Sequence, residues 1–363
     1  MRGRFLFNGN AGGELLSRAA PFLRGSAAGR TPRVLLVTAA WGAGEPGDAA
    51  IRAGLAAEGL DQVLNLGAWG EWAGLLARRP DVGATWREID EALNAIRAFY
   101  LEKTAFHAEL VRRGVAEARK RVPGFALGQV HPRDPIRPES VLTGQELVSH
   151  ALSRELVASI DALVENDERM LESLADAESQ LHARTGLRFD PEWVAIRSRL
   201  ESRILGADAL LFFGGSPTDL LGALRFFDLQ PALLETLRRG ATFVTSSAGS
   251  LVMCERMIVY DERGGDRLTR DFRLLDRGLG LVGGLQILPH CMDRIQTDDP
   301  DNLAYLARRF SSRLCAGLNQ GSYLLVEMAG PTLVSVGDED GVYMFGPDGR
   351  KRRYDHAERI PLE

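Results

Sequence analysis

The run Thr242, Phe243, Val244 and Thr245 leads directly into Ser246, Ser247, Ala248, Gly249 and Ser250, so a strand-like stretch gives way to small residues and then a helical pattern. A strand that turns sharply into a helix lifts one side chain above the sheet edge, and Ser247 occupies that apex, the arrangement of a nucleophile elbow. A hydroxyl held there attacks a carbonyl carbon once a base removes its proton. The amide of Ala248, at the new helix start, points to where an oxyanion would form. Gly214 and Gly215 end the strand-like run Ala209 to Phe213 and could bring a second bare amide to the same place. Taken alone, the same residues also fit a Ser/Gly turn that caps a helix.

Positioning such a turn needs a sheet, and the chain supplies one in two pieces. Phe5 to Phe7, Arg33 to Thr38 and Gln62 to Leu66 alternate with helix-like stretches, and the same grammar resumes beyond Arg203. Strands alternating with helices indicate a parallel α/β sheet. Between the two pieces the pattern changes. Ile89, Leu93, Ile96, Tyr100, His107 and Val111 recur at steps of three, four or seven, as do Leu152, Leu156, Ile160, Leu163, Met170, Leu174 and Leu181. Each set occupies one face of a long helix. Pro123, Pro132, Pro135 and Pro138 crowd the join and prevent a single continuous helix. A helical hairpin with arms of about 50 Å is therefore expected. The expected organisation is a discontinuous α/β domain over 1–84 and 203–363 with a helical insertion over 85–202.

Composition narrows the partners. The 363 residues carry 44 Lys plus Arg against 49 Asp plus Glu, a formal charge of −5, so no pervasive basic field exists to hold nucleic acid. Cys254, Cys291 and Cys315 are too few and too scattered for a disulfide framework or a paired zinc motif. The apolar run near Phe5 is too short for an export signal, and no stretch of about 18 apolar residues would span a bilayer. A reducing cytoplasm is the expected compartment, with no membrane contact.

Read in order, Ala207 to Gly215 with Leu220 and Leu221, Arg239 and Gly240 before a strand, Ser247 to Gly249, Leu288 to His290, and Gly317 to Ser322 resemble the landmarks of the dipeptidase E and cyanophycinase family. The resemblance implies a serine peptidase on a flavodoxin-like, three-layer α/β sandwich related to class I glutamine amidotransferases. The helical insertion has no counterpart in it. Carried over by position, Ser247 corresponds to the nucleophile and His290 to its general base. For the third member, dipeptidase E-like patterns point to Asp261 or Glu262, and cyanophycinase-like patterns to the site of Gln320, where the family has a glutamate. Thr245 also departs from the usual glycine, and Ser216 stands where Asn or Asp is common.

Arg294 follows His290 by four positions and resembles a family arginine able to bind a substrate carboxylate through both guanidinium nitrogens. A salt bridge with Asp293 or Asp298 is the structural alternative. Gly214 and Ser216 complete the substrate-binding set, with Gly215 and Ala248 as the oxyanion pair. The acidic run Asp298, Asp299 and Asp301 reads as a helix N-terminus rather than a metal site. Together these features predict a hydrolase that cleaves a peptide or isopeptide bond beside an aspartyl group, without metal or organic cofactor. The rival readings are a silent binding protein that retains the fold, and an amidase or esterase acting on a non-peptide substrate. The long hairpin is expected to contribute to a homodimer.

Overall fold

The computed structural model describes residues 3–361 apart from 11, 13, 28, 131–140, 261–271, 312, 330–331 and 338–339. In chain order the strands are β1 (Arg4–Asn8), β2 (Val34–Val37), β3 (Val63–Asn65), β4 (Ala209–Phe212), β5 (Thr242–Ser246), β6 (Arg256–Tyr260) and β7 (Phe272–Arg277). They continue as β8 (Leu285–Pro289), β9 (Leu314–Leu318), β10 (Tyr323–Glu327), β11 (Thr332–Ser335), β12 (Val342–Phe345), β13 (Lys351–Tyr354) and β14 (Arg359–Ile360). The main sheet has eight strands in the order β14-β11-β10-β1-β5-β4-β2-β3. Its five strands from β1 to β3 pair in parallel, whereas β10, β11 and β14 extend it antiparallel beyond β1.

Side-chain alternation explains why these runs become strands covered on both faces. Phe5, Phe7, Leu35, Val37, Leu210, Phe212 and Phe243 face one core, and Leu6, Val34, Leu36, Ala209, Leu211 and Val244 face the other. The second core is closed by the helices Leu15–Arg24 and Ala49–Ala57, through Leu15, Ala19, Leu23 and Leu55. The first lies under the helices Ala68–Arg78, Pro217–Phe226 and Gln230–Arg238. The result is a three-layer α/β architecture with a mostly parallel sheet.

Two further sheets flank it. One is the four-stranded β13-β12-β9-β8, and the other is the antiparallel ribbon of β6 and β7. The sequence pattern indicates the strands of the tail but not their division between sheets.

The hairpin is built from the helices Pro80–Arg121 and Gly144–Thr185, each of 42 residues. At the α-helical rise each is about 63 Å long, more than the apolar stripes imply. Pro80 opens the first helix and a capping box of Thr143 and Glu146 opens the second. The hairpin shares the first core with the sheet. Trp86 packs edge-on against Trp72 at 5.2 Å and against Phe226 at 6.0 Å, and the Tyr100 hydroxyl lies 3.3 Å from Ser173 Oγ. Both aromatic residues thus find packing partners within one chain and are half-buried. Phe99, Phe106 and Leu110, in contrast, are exposed along the first helix.

Buried and half-buried ion pairs fasten the hairpin down. Arg309, on the helix Pro300–Arg309, makes a two-pronged bond to Asp167 at 2.7 Å through each nitrogen, with both side chains fully buried. Arg97 donates to Asp276 of β7 at 2.9 Å, and Arg225 spans Glu178 and Asp276 at 2.8 and 3.1 Å. The helix Pro191–Leu205 then leads into β4, its Asp190 cap accepting from the amides of Glu192 and Trp193. Among the described residues, no helix is long and apolar enough to cross a membrane.

Candidate active site

β5 ends at Ser246 and the helix Ala248–Met253 begins one residue after Ser247, which is left between them at φ 49°, ψ −113°. A non-glycine residue rarely adopts such a conformation, and it persists only where its surroundings hold it. Here the hold comes from β1. The Ser247 amide donates to the carbonyl of Asn8 at 3.2 Å, and Ser250 Oγ donates to the same carbonyl at 3.1 Å. Thr245 is an ordinary parallel-strand residue paired with Phe7 and Phe212, so its β-branch meets no strain. Its hydroxyl lies 2.9 Å from Ser250 Oγ and adds to the network beneath the turn.

His290 follows β8 and also has positive φ, at 56°. Its Nε2 lies 3.0 Å from Ser247 Oγ. Two groups outside the Leu288–His290 motif fix this turn. Asn319 Oδ1 accepts from the Met292 amide at 3.0 Å and from Cys291 Sγ at 3.4 Å, and the Tyr260 hydroxyl donates to the Pro289 carbonyl. Cys291 itself is buried, which pushes its thiol up to about 12. It is protonated at neutral pH and is no rival nucleophile.

The glycine pair packs close against the serine. A Cβ added to Gly214 would lie 2.9 Å from Ser247 Cβ, and one on Gly215 would lie 2.3 Å from the Ala40 carbonyl oxygen. Gly215 also has φ 137°, so a side chain is excluded on both counts. Ala248 is the first residue of its helix, where an amide has no carbonyl of an earlier turn to bond. A cavity of about 770 Å³ opens over these groups and is lined by Gly214, Gly215, Ser247, Ala248, His290 and Arg294, among others.

The remaining residues singled out in the sequence fall elsewhere. Ser216 Oγ accepts from the Asp219 amide at 3.2 Å and serves as N-cap of the helix Pro217–Phe226. Gln320 is exposed; Asn8 Nδ2 donates to its carbonyl at 2.9 Å, and a Cβ on Gly12 would meet its Nε2 at 2.3 Å. Asp261 and Glu262 lie outside the described residues. In the acidic run, Asp299 accepts from the amides of Asp301 and Asn302, while Asp298 accepts from Lys351 at 3.2 Å.

The landmark motifs and the three-layer architecture thus meet at one serine and one histidine. Residues 162–334 match peptidase family S51. This is the dipeptidase E and cyanophycinase family, and the S51 match spans β4 to β10 with both Ser247 and His290. It supports a peptidase-type hydrolase as the functional class. No curated protein matches the sequence. Among solved structures, one described as the crystal structure of a peptidase from an acI-B1 Actinobacterium aligns with a TM-score of 0.48 at 14% identity, over 100% of this chain and 98% of that one.

The least legible contributor to the site is Asn8. Fully buried, it donates to the carbonyls of Gln320 and Ser322, and its Oδ1 accepts from the Asn10 amide. Its side chain ties the end of β1 to the turn after β9, and its backbone carbonyl ties it to the serine turn. A polar residue closing an otherwise apolar strand was the signal available in the sequence.

Proposed function

We propose that this chain is a serine hydrolase that cleaves a peptide or isopeptide bond next to an aspartyl group through an acyl-enzyme on Ser247. The observation that carries the reading is the 3.0 Å approach of Ser247 Oγ to His290 Nε2 inside the cavity. His290 takes the Ser247 proton as Oγ bonds to the carbonyl carbon, and the amides of Gly215 and Ala248 receive the oxyanion. The C–N bond then breaks as His290 returns that proton to the departing amine. Water attacks the ester while His290 accepts its proton, and as the C–Oγ bond breaks His290 passes that proton to Ser247 Oγ, releasing the acid product. Arg294 takes the carboxylate of the aspartyl group, and Asp261 or Glu262 steadies the imidazolium. In this reading the exposed Phe99, Phe106 and Leu110 form part of a homodimer contact, to be checked by sedimentation.

Labelling with a fluorophosphonate, followed by a panel of α-aspartyl dipeptides, β-aspartyl dipeptides and simple esters, tests the assignment. Label on wild type but not on Ser247→Ala, with turnover of aspartyl peptides, is the expected result. Absence of label on wild type would favour a silent binding protein, and turnover of esters alone would favour a non-peptide acyl hydrolase.

A further inference from the structure

The cavity over Ser247 is chemically two-sided. His290 and Arg294 stand on the side of β8, and among the described lining residues Arg294 is the one with a permanent charge. On the β4 side, Trp41 and Phe213 lie beside the glycine pair, with Leu15, Leu16 and Ile51 beyond them on the helices of the second core. This wall begins at the nucleophile. Trp41 Nε1 donates to the Gly214 carbonyl at 3.0 Å, its ring lies 5.5 Å from that of Phe213, and Gly214 packs directly on Ser247.

The wall is also closely packed against the neighbouring helix. A Cβ on Gly54 would sit 2.6 Å from Leu16 Cδ1, so the missing side chain is what lets Leu16 lie against the neighbouring helix. Leu16, Trp41 and Ile51 nevertheless remain only partly buried. Apolar groups fixed around an open cavity gain from an apolar occupant that removes them from water.

We propose that Trp41, Phe213, Leu16 and Ile51 form a subsite for a bulky aliphatic or aromatic side chain on the residue joined to the aspartyl group. This rests on the hydrolase reading given above and goes beyond it in naming the second half of the substrate. The preferred substrates are then aspartyl peptides of Leu, Ile or Phe, not of Ala, Lys or Asp. An apolar pocket distinguishes side chains differing by a few methylenes by about 10- to 200-fold.

Binding and turnover test the two readings separately. In Ser247→Ala, calorimetry with Asp-Leu, Asp-Phe, Asp-Ala and Asp-Lys should give dissociation constants about 10- to 200-fold lower for the first two. Adding Ile51→Asp, or Leu16→Ser should that variant misfold, should bring the ratio of Asp-Leu to Asp-Ala towards one. Equal affinities across the panel, or no binding of Asp-Leu and Asp-Phe, would overturn the subsite. If Ser247→Ala discriminates while wild type cleaves no peptide, the subsite stands and the hydrolase reading falls. If wild type cleaves all four equally, the hydrolase stands and the subsite falls.

Discussion

Ser247 and His290 meet through their side chains at 3.0 Å while both hold positive φ, at 49° and 56°. Each such conformation costs on the order of 1–3 kcal/mol in a residue with a Cβ. The expense falls on the two residues whose contact would do the chemistry, and it is met by neighbours that are themselves well bonded. Asn8 anchors the serine turn; Asn319 and Tyr260 anchor the histidine turn.

Replacing Ser247 by Gly should therefore abolish activity and stabilise the fold. Glycine adopts positive φ without penalty, so a gain of about 1 kcal/mol is expected, raising Tm by about 1–3 °C in a chain of this size. Ser247→Ala retains the Cβ and should lose activity equally, by about 10³-fold or more, without the gain in Tm. Calorimetric scans of the two variants decide it: equal Tm values would mean that the turn is unstrained.

For the third catalytic member, Asp261 or Glu262 is expected to support His290, because a carboxylate offsets the charge that the imidazole acquires and a glutamine does not. Asp261→Asn or Glu262→Gln should lower kcat by about 10²-fold or more, with Gln320→Ala nearly silent. The opposite pattern would place the role at Gln320, next to Gly12 at the cavity rim.

Arg294→Ala should raise KM for aspartyl peptides far more than for a neutral ester, which lacks the carboxylate that the guanidinium would hold. Equal losses on both substrates would make Arg294 a structural residue.

The parallel sheet and the hairpin were legible because burial on both faces and on one helical face leave periods of two and of three to four in the sequence. The contact of Ser247 with His290 was legible only through ordered motifs, since no periodicity brings residues 43 positions apart together. The roles of Asn8, of Tyr260 and of Asn319 within the Gly317–Ser322 landmark were not legible. Their work is done by hydrogen bonds to groups distant in the chain, and a residue type alone does not say which partner it will meet. Thr245 looked ill suited to a tight turn, yet the strained position is two residues later, and a strand interior suits a β-branched residue well.

Burial sets a pH response at His182. Its ring lies edge-on to Trp193, its Nδ1 is buried without a hydrogen-bond partner among the described residues, and burial, aided by Arg188, pushes its pKa below the usual value. The neutral form is favoured in the folded chain. As pH falls below about 6.5 the unfolded chain takes up the proton first, so stability present above that pH is lost towards the lower folded pKa. His182→Gln should accordingly show a shallower fall of Tm between about pH 7 and pH 5, a range that brackets the ordinary histidine value. Identical slopes for the two proteins would remove His182 as a contributor.

The buried pair of Asp167 and Arg309 links the hairpin to the site by a continuous set of contacts. Arg309 donates to the carbonyl of Phe272 at 2.5 Å; Phe272 is the register partner of Tyr260; and Tyr260 donates to Pro289, the residue before His290. Removing the carboxylate with Asp167→Ala leaves a buried guanidinium without its counter-charge and should cost about 3–5 kcal/mol in denaturant titrations. The double replacement Asp167→Leu with Arg309→Met removes both charges and should recover much of that loss. It cannot restore the bond to Phe272, however. Should that contact steady Tyr260 and hence the His290 turn, the double variant will fold stably yet retain a lowered kcat with little change in KM. Full kcat in the double variant would show that the hairpin contributes stability alone.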